Sequence, residues 1–129
     1  LKMDFLGLKT LTVVHDAVEA VTSRVGALKH PETGETFESM DDVPLGDPAV
    51  YRMLARGGTS GVFQFESSLA TDKLRAMRCD RFEDLVATNA LIRPGPLDSG
   101  MTDVYIRRKL GQEPVRYEHP DLERSLEPT

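Results

Sequence analysis

Helix-start and helix-stop residues follow one another closely after residue 46, so this part of the chain can form only short helices. Asp47 before Pro48 is typical of a helix start, because the carboxylate caps free backbone N–H groups and proline fits the first helical position. Gly57 and Gly58 predict the end of that helix. Similar signals predict helices over residues 49–56, 68–78, 81–91 and 99–110, with a stiff turn at 94–96, a brief extended segment at 62–65 and a loop after 111.

Two of these helix starts rest on side chains that accept hydrogen bonds from free N–H groups. Ser67 or Ser68 can cap the second helix, and Asp80 with Glu83 has the spacing of a capping box at the third. These signals predict two helices that follow each other closely.

The first third of the chain carries a different pattern. Apolar residues recur at every third or fourth position, which predicts a helix over residues 9–25 that Gly26 ends. Residues 2–6 alternate between polar and apolar side chains, which predicts a short strand. Residues 29–47 are polar and acidic, and we expect an exposed loop there with a small hairpin near residue 34. The expected fold class is mainly α with minor β.

The length and composition fit one compact unit. The chain has 129 residues, 40% of them hydrophobic, and no apolar run approaches the roughly 18 residues of a membrane span. Neither a span nor a secretory signal is expected, and a single cysteine, Cys79, cannot form an internal disulfide, so we expect a cytoplasmic protein. The chain begins at Leu1 and stops at Thr129 without a helix end, which suggests a fragment.

The net charge of −5 is unevenly distributed. Residues 73–109 hold eight Lys and Arg against five acidic residues, whereas residues 32–47 are acidic. A locally basic stretch favours contact with anionic partners. Arg75 and Arg78 lie three positions apart on one predicted helix, where neighbouring guanidinium groups can bind phosphates bidentately. The alternative is a basic face that is merely solvated.

Arg93 has a restricted backbone because Pro94 follows it. The proline disfavours the helical region for Arg93, which gives its side chain a fixed direction and lowers the entropy lost on binding an anion. The alternative is a cation that stabilises the last carbonyls of a helix. That alternative also applies to Arg107, Arg108 and Lys109.

Lys2 and Asp4 fall on one face of the predicted strand. A carboxylate beside a lysine can place a metal ligand next to a phosphate contact. A two-metal site needs about three carboxylates, and no second acid has a recognisable spacing to Asp4. The alternative is an exposed ion pair that contributes almost nothing to stability.

Several common sites are not expected. His15, His30 and His119 have no ligand-like spacing with each other or with Cys79, which argues against a zinc site. The glycines of residues 57–61 lack the lysine and helix of a phosphate loop. With no Trp, three Tyr and five Phe, the composition gives little support for nucleic-acid binding by stacked aromatic rings. The core is the expected place for Phe63, Phe65 and Phe82.

Five segments, in order, together resemble the bacterial replicative DNA polymerase III alpha subunit family, the C-family DNA polymerases. They are KMDFLGLKTLT at 2–12, GVFQFES at 61–67, FEDL at 82–85, RPGPLDSGM at 93–101 and YIRRK at 105–109. The chain departs from the family pattern at Thr71, where a basic residue is common, and at Cys79, where proline is common.

The resemblance implies that residues 1–8 are the last palm strand and that residues 9–129 are the helical inner fingers region, truncated at its C-terminus. It implies that Asp4 is catalytic and helps to hold two Mg²⁺ ions, shared with aspartates outside this fragment. The residues implied to bind nucleotide phosphates are Lys2, Arg75, Arg78 and Arg93.

The implied activity is that of a DNA-directed DNA polymerase, a nucleotidyltransferase that adds deoxynucleotides to a primer 3′ end on a template by a two-metal mechanism. The fragment alone is expected to be inactive. The implied partners are primer–template DNA, deoxynucleoside triphosphates and the remainder of the polymerase chain. A sliding clamp and other replisome subunits are expected to bind through regions outside this fragment. The alternative is a stand-alone, non-catalytic helical module that binds nucleic acid or a partner protein.

Overall fold

The computed structural model describes residue 3 and residues 7–126, which fall into two units, Leu1–Leu45 and Gly46–Thr129. The strand predicted over residues 2–6 lies outside the described residues, except for Met3. Within the described part, seven α-helices and one two-stranded sheet confirm a mainly α fold with minor β. None of the described helices is both long and apolar enough to cross a bilayer.

The first unit contains one long helix and a hairpin. Helix α1 spans Lys9–Val25, as predicted, and the N–H of Gly26 closes it by donating to the Thr22 carbonyl at 2.9 Å. No residue of α1 is buried, and its apolar stripe is exposed, with Leu11 67% accessible. The stripe therefore favours the helix, but it forms no core with the described residues of this unit.

The predicted hairpin is present after α1. Strand β1, Leu28–Lys29, pairs antiparallel with β2, Thr36–Phe37, in the register Leu28 to Phe37. In the turn, the Nδ1 atom of His30 accepts hydrogen bonds from the backbone N–H groups of Glu32 and Thr33. A 3₁₀ turn at Met40–Asp42 follows, in which the Asp42 carboxylate accepts from the backbone N–H of Ser39 at 2.9 Å.

Six helices form the described part of the second unit, residues 46–126. They are α2 Pro48–Ala55, α3 Ser68–Ala76, α4 Phe82–Leu91, α5 Pro94–Asp98, α6 Met101–Lys109 and α7 Pro120–Leu126. The core lies where α2, α3 and α6 meet, together with the segment that follows α3. Its buried residues are Tyr51, Leu54, Leu74, Met77, Cys79 and Ile106.

The predicted caps of α2 and α3 are confirmed. Asp47 accepts a hydrogen bond from the N–H of Ala49 at 2.7 Å, and the Ser67 hydroxyl accepts from the N–H of Ala70 at 3.2 Å. Each cap satisfies a backbone donor that has no partner inside its helix.

Residues 62–65 do not form the predicted extended segment. The N–H of Val62 donates to Thr59 and that of Phe65 donates to Val62, so two tight turns follow each other, with Gln64 at φ 66°. The turns pack Val62 and Phe65 against the core and leave Phe63 exposed. Phe82 is also exposed, so the prediction of three core phenylalanines is correct only for Phe65.

Helix α4 begins with a different capping residue from the one predicted. Asp84, and not Glu83, accepts hydrogen bonds from the backbone N–H groups of Asp80 and Arg81, at 2.9 and 3.3 Å. Asp84 is fully buried, whereas Glu83 is exposed. Burial against neighbouring helices decides which of these two adjacent acids caps the helix, and the spacing of residues in the sequence does not reveal that burial.

The segments around α5 and α7 are more helical than predicted. Pro94 occupies the first position of α5, so the expected stiff turn at 94–96 is instead one turn of helix. Helix α6 starts at Met101 rather than Ser99, because Gly100 intervenes in a left-handed conformation. The predicted loop after residue 111 also contains α7.

Candidate functional site

Arg75 is held against the end of α2. Its Nη2 atom donates to the carbonyl of Arg56 at 3.3 Å, and its Nη1 atom lies 3.6 Å from the carboxylate of Asp72. Gly57 faces the guanidinium at φ 83°, and a Cβ atom there would collide with it. The Arg75 side chain remains 55% exposed, so part of the guanidinium still faces solvent.

Arg78 does not share a helix with Arg75, contrary to the prediction. Helix α3 ends at Ala76, and Arg78 adopts a left-handed conformation with φ 53°. The chain reverses here because the N–H of Cys79 donates to the Leu74 carbonyl at 3.1 Å, which returns the buried Cys79 to the core. The Arg78 side chain is exposed beyond the helix end.

Arg93 stands between α4 and α5 in an extended conformation, with φ −139° and ψ 153°. Its departure from the helical region was predicted from Pro94 and is confirmed. The side chain is exposed, and the structure shows no hydrogen bond or ion pair between it and any described residue. Arg93 directly follows Ile92, the C-cap of α4, and is itself the N-cap of α5, so it lies next to the ends of two helices.

An ionic cluster, Asp80–Asp84–Lys109, is centred on the buried carboxylate of Asp84 and fixes the backbone beside Arg78. The Nζ atom of Lys109 lies 2.7 Å from Oδ2 of Asp84 and 3.1 Å from Oδ1 of Asp80, and it donates to the carbonyl of Arg78 at 3.4 Å. The cluster therefore ties the end of α6 to the start of α4 and to the loop that carries Arg78.

The contacts within the cluster shift the pKa values of Lys109 and Asp80. Burial acts to lower the pKa of Lys109, but hydrogen bonds to Asp84 and Asp80 outweigh it and raise the pKa above its ordinary value. The hydrogen bond from Lys109 is the main cause that lowers the pKa of Asp80. Burial raises the pKa of the neighbouring Cys79 thiol to about 11, and the charge of Asp84 adds to the effect.

Sequence reasoning missed the role of Lys109. The expected position near a helix C-terminus is correct, but the ammonium group binds two carboxylates that precede it by 29 and 25 residues. The other cations of this segment are also paired, because Glu113 lies 2.9 Å from Arg107 and 3.3 Å from Arg108. Only the long-range fold brings Lys109 to its two carboxylates, whereas Glu113 lies within six residues of its partners in the chain.

Lys2 and Asp4 lie outside the described residues. Among the described candidates, Arg93 is exposed and without a bound partner, Arg78 is exposed at a fixed turn, and Arg75 is anchored through part of its guanidinium. Guanidinium groups on rigid backbone suit the binding of phosphate, since little further ordering is needed.

The sequence is similar to known proteins over its whole length. The family of the bacterial DNA polymerase III alpha subunit finger domain matches residues 10–129. DNA polymerase III subunit alpha of Aquifex aeolicus is 46% identical over all of this chain, and that of Helicobacter pylori is 41% identical over all of it. The protein of the same name from Escherichia coli is 41% identical over 99% of the chain. The chain spans about a tenth of the length of these relatives, at 10 to 11%. With the match extending over nearly every residue, the chain belongs to the family of bacterial DNA polymerase III alpha subunit finger domains.

Proposed function

We propose that this chain is the fingers part of the catalytic subunit of a bacterial replicative DNA polymerase, in the cytoplasm, and that it binds the triphosphate of an incoming deoxynucleotide. The observation that carries the proposal is Arg93, an exposed guanidinium on extended backbone in a chain of this family. The full enzyme would add deoxynucleotides to a primer 3′ end on a DNA template. Its substrates would be primer–template DNA and deoxynucleoside triphosphates.

The proposed phosphate contacts differ in how the fold supports them. Arg93 and Arg78 are exposed on constrained backbone and can bind phosphate oxygens with little loss of entropy. Arg75 already donates to the Arg56 carbonyl, so we propose that only its remaining donors contact the nucleotide. Lys2 is proposed as a further contact from the palm side. Positive groups placed in this way would stabilise the negative charge that develops as pyrophosphate leaves.

We propose that residues 1–8 contribute the last palm strand and residues 9–129 the fingers. Asp4 would supply one metal-binding carboxylate, and the others would come from outside this chain. Two Mg²⁺ ions, when bound, align the attacking hydroxyl and neutralise charge on the phosphates. Because one aspartate cannot hold such a pair, we expect the chain of 129 residues to be inactive alone. We also propose that a sliding clamp and other replisome subunits bind elsewhere on the polymerase.

The experiment that tests this function is primer extension by the full natural chain with Asp4→Asn. Loss of extension with template binding retained is expected, because the substitution removes a metal-binding charge and leaves the other contacts in place. The matched control is Asp41→Asn, an exposed acid in the 3₁₀ turn of the first unit. Near-normal extension by Asp4→Asn would contradict the proposed role of Asp4. Extension by the isolated chain would contradict the shared metal site.

A further inference from the structure

A cavity of about 430 Å³ opens in the second unit beside α6. Four cationic side chains and two tyrosines line it, with two apolar residues, and none of its described lining residues is acidic. Its volume lies within the range of roughly 300–1,000 Å³ that is typical of pockets for small ligands. The polar and aromatic lining consists of Arg81, Tyr105, Arg108, Lys109, Arg116 and Tyr117.

The cations of this cavity are only partly neutralised. Lys109 is bound to Asp80 and Asp84, whereas Arg81 lies 3.6 Å from Asp84 and is 54% exposed. Arg108 shares the carboxylate of Glu113 with Arg107. Arg116 is exposed and forms no ion pair with any described residue. The cavity therefore keeps an excess of positive charge in a chain of net charge −5.

Two tyrosine rings lie among these cations. Tyr105 and Tyr117 are each partly buried, so each ring is held by its surroundings. Burial raises the pKa of the Tyr105 hydroxyl. Tyrosine rings offer flat surfaces on which a base can stack, and arginines beside them can bind a phosphate. A ligand that satisfies both features has a flat ring and a phosphate group.

We propose that this cavity binds a nucleotide, with its phosphate at Arg116 and Arg108 and its base against Tyr117 or Tyr105. The cavity shares no lining residue with Arg75, Arg78 or Arg93, so it is a second site, apart from the proposed triphosphate contacts. Its size suits one nucleotide and not a duplex. A free nucleotide and a single nucleotide within an unpaired strand offer the same chemistry.

Photocrosslinking in the full natural chain distinguishes these two sources. The probes are 5-iododeoxyuridine monophosphate and a short single-stranded oligonucleotide that carries one 5-iododeoxyuridine, with crosslinked peptides mapped by mass spectrometry. Crosslinks at Tyr105 or Tyr117 with both probes indicate a site for free nucleotides. Crosslinks at these tyrosines with the oligonucleotide alone indicate a strand site. Both results support the proposal, and the absence of labelling at both tyrosines overturns it.

Charge reversal tests whether the phosphate is bound where we propose. We expect Arg116→Glu to reduce crosslinking at the two tyrosines at least fivefold, and Arg116→Gln to reduce it less. The matched control is Arg52→Glu, an exposed arginine of α2 outside the cavity, which should leave the yield unchanged. Because crosslinking needs no catalysis, the result is independent of the polymerase assay. Equal yields from Arg116→Glu, Arg52→Glu and the natural chain overturn the proposal.

Discussion

The Nζ atom of Lys109, the last residue of α6, lies 2.7 Å from the fully buried carboxylate of Asp84 in the first turn of α4. The same carboxylate accepts hydrogen bonds from the N–H groups of Asp80 and Arg81, so one side chain both caps a helix and binds a distant cation. Removing the cation from a buried carboxylate is strongly destabilising, so we expect the second unit to be sensitive to the loss of this pair.

Lys109→Met should lower the free energy of unfolding by about 3 kcal/mol, because Asp84 stays buried without its nearest cation and keeps only the half-exposed Arg81 at 3.6 Å. Urea denaturation followed by circular dichroism measures the loss. The matched control is Lys73→Met, which breaks the more exposed pair with Asp103 at 2.7 Å and should cost less than about 1 kcal/mol. Equal losses from the two substitutions would show that Asp84 does not depend on Lys109.

Stability should fall at both ends of the pH range. The pKa of Asp80 is lowered from 3.8 by Lys109, so its contribution is present above that value and is lost as the pH falls through the folded-state pKa. The pKa of Lys109 is raised from 10.5, so its contribution is lost as the pH rises through the folded-state pKa. Urea midpoints measured from pH 2 to 12 test both directions.

Two variants identify the residue that is responsible at each end of the pH range. Asp80→Asn should reduce the fall of the urea midpoint in acid, and Lys109→Met should reduce its fall in alkali. A fall in alkali that is unchanged in Lys109→Met would exclude Lys109 as its cause.

Gly57→Ala should destabilise the second unit more than the same substitution at a glycine where the new Cβ atom has room. At φ 83° a side chain costs about 1–2 kcal/mol, and the new Cβ atom would also collide with the Thr71 methyl group and the Arg75 guanidinium. Gly111→Ala is the matched control, since its φ is 69° but no described atom lies within 4 Å of the position that its new Cβ atom would occupy. Combining Gly57→Ala with Arg75→Ala should recover part of the difference. If both glycine variants unfold at the same urea concentration, Arg75 does not pack there.

Cys79 should react with thiol reagents only when the chain opens. It is 1% exposed, and its pKa of about 11 leaves about one thiol in a thousand ionised at pH 8. The rate of alkylation by iodoacetamide should therefore follow the population of open chains and rise in Lys109→Met. Alkylation of the folded chain at the rate of a free cysteine would contradict the buried position.

Local signals in the sequence predicted several elements closely. The bounds of α1 follow from its apolar spacing, and the caps at Asp47 and Ser67 follow from side chains that act within three residues. The extended backbone of Arg93 follows from a steric effect of Pro94 on its neighbour. Each of these predictions depends only on residues that are close in the chain.

The features that the sequence did not predict depend on long-range packing. The core position of Cys79 ends α3 early and removes Arg78 from the helix, and only the fold places Lys109 beside Asp84. The cavity lined by Tyr105 and Tyr117 was missed for the same reason, because residues 12 positions apart are brought together by the chain that follows α6.

The central claim is that the exposed Arg93 binds the incoming nucleotide, and steady-state primer extension by the full natural chain tests it most directly. Arg93→Ala should lower kcat/KM for the deoxynucleoside triphosphate tenfold or more, because a charge-assisted bond to phosphate contributes about 1.5–3 kcal/mol. Affinity for primer–template DNA should be unchanged, and Arg52→Ala should behave like the natural chain. Equal kcat/KM values for Arg93→Ala and Arg52→Ala would contradict the claim.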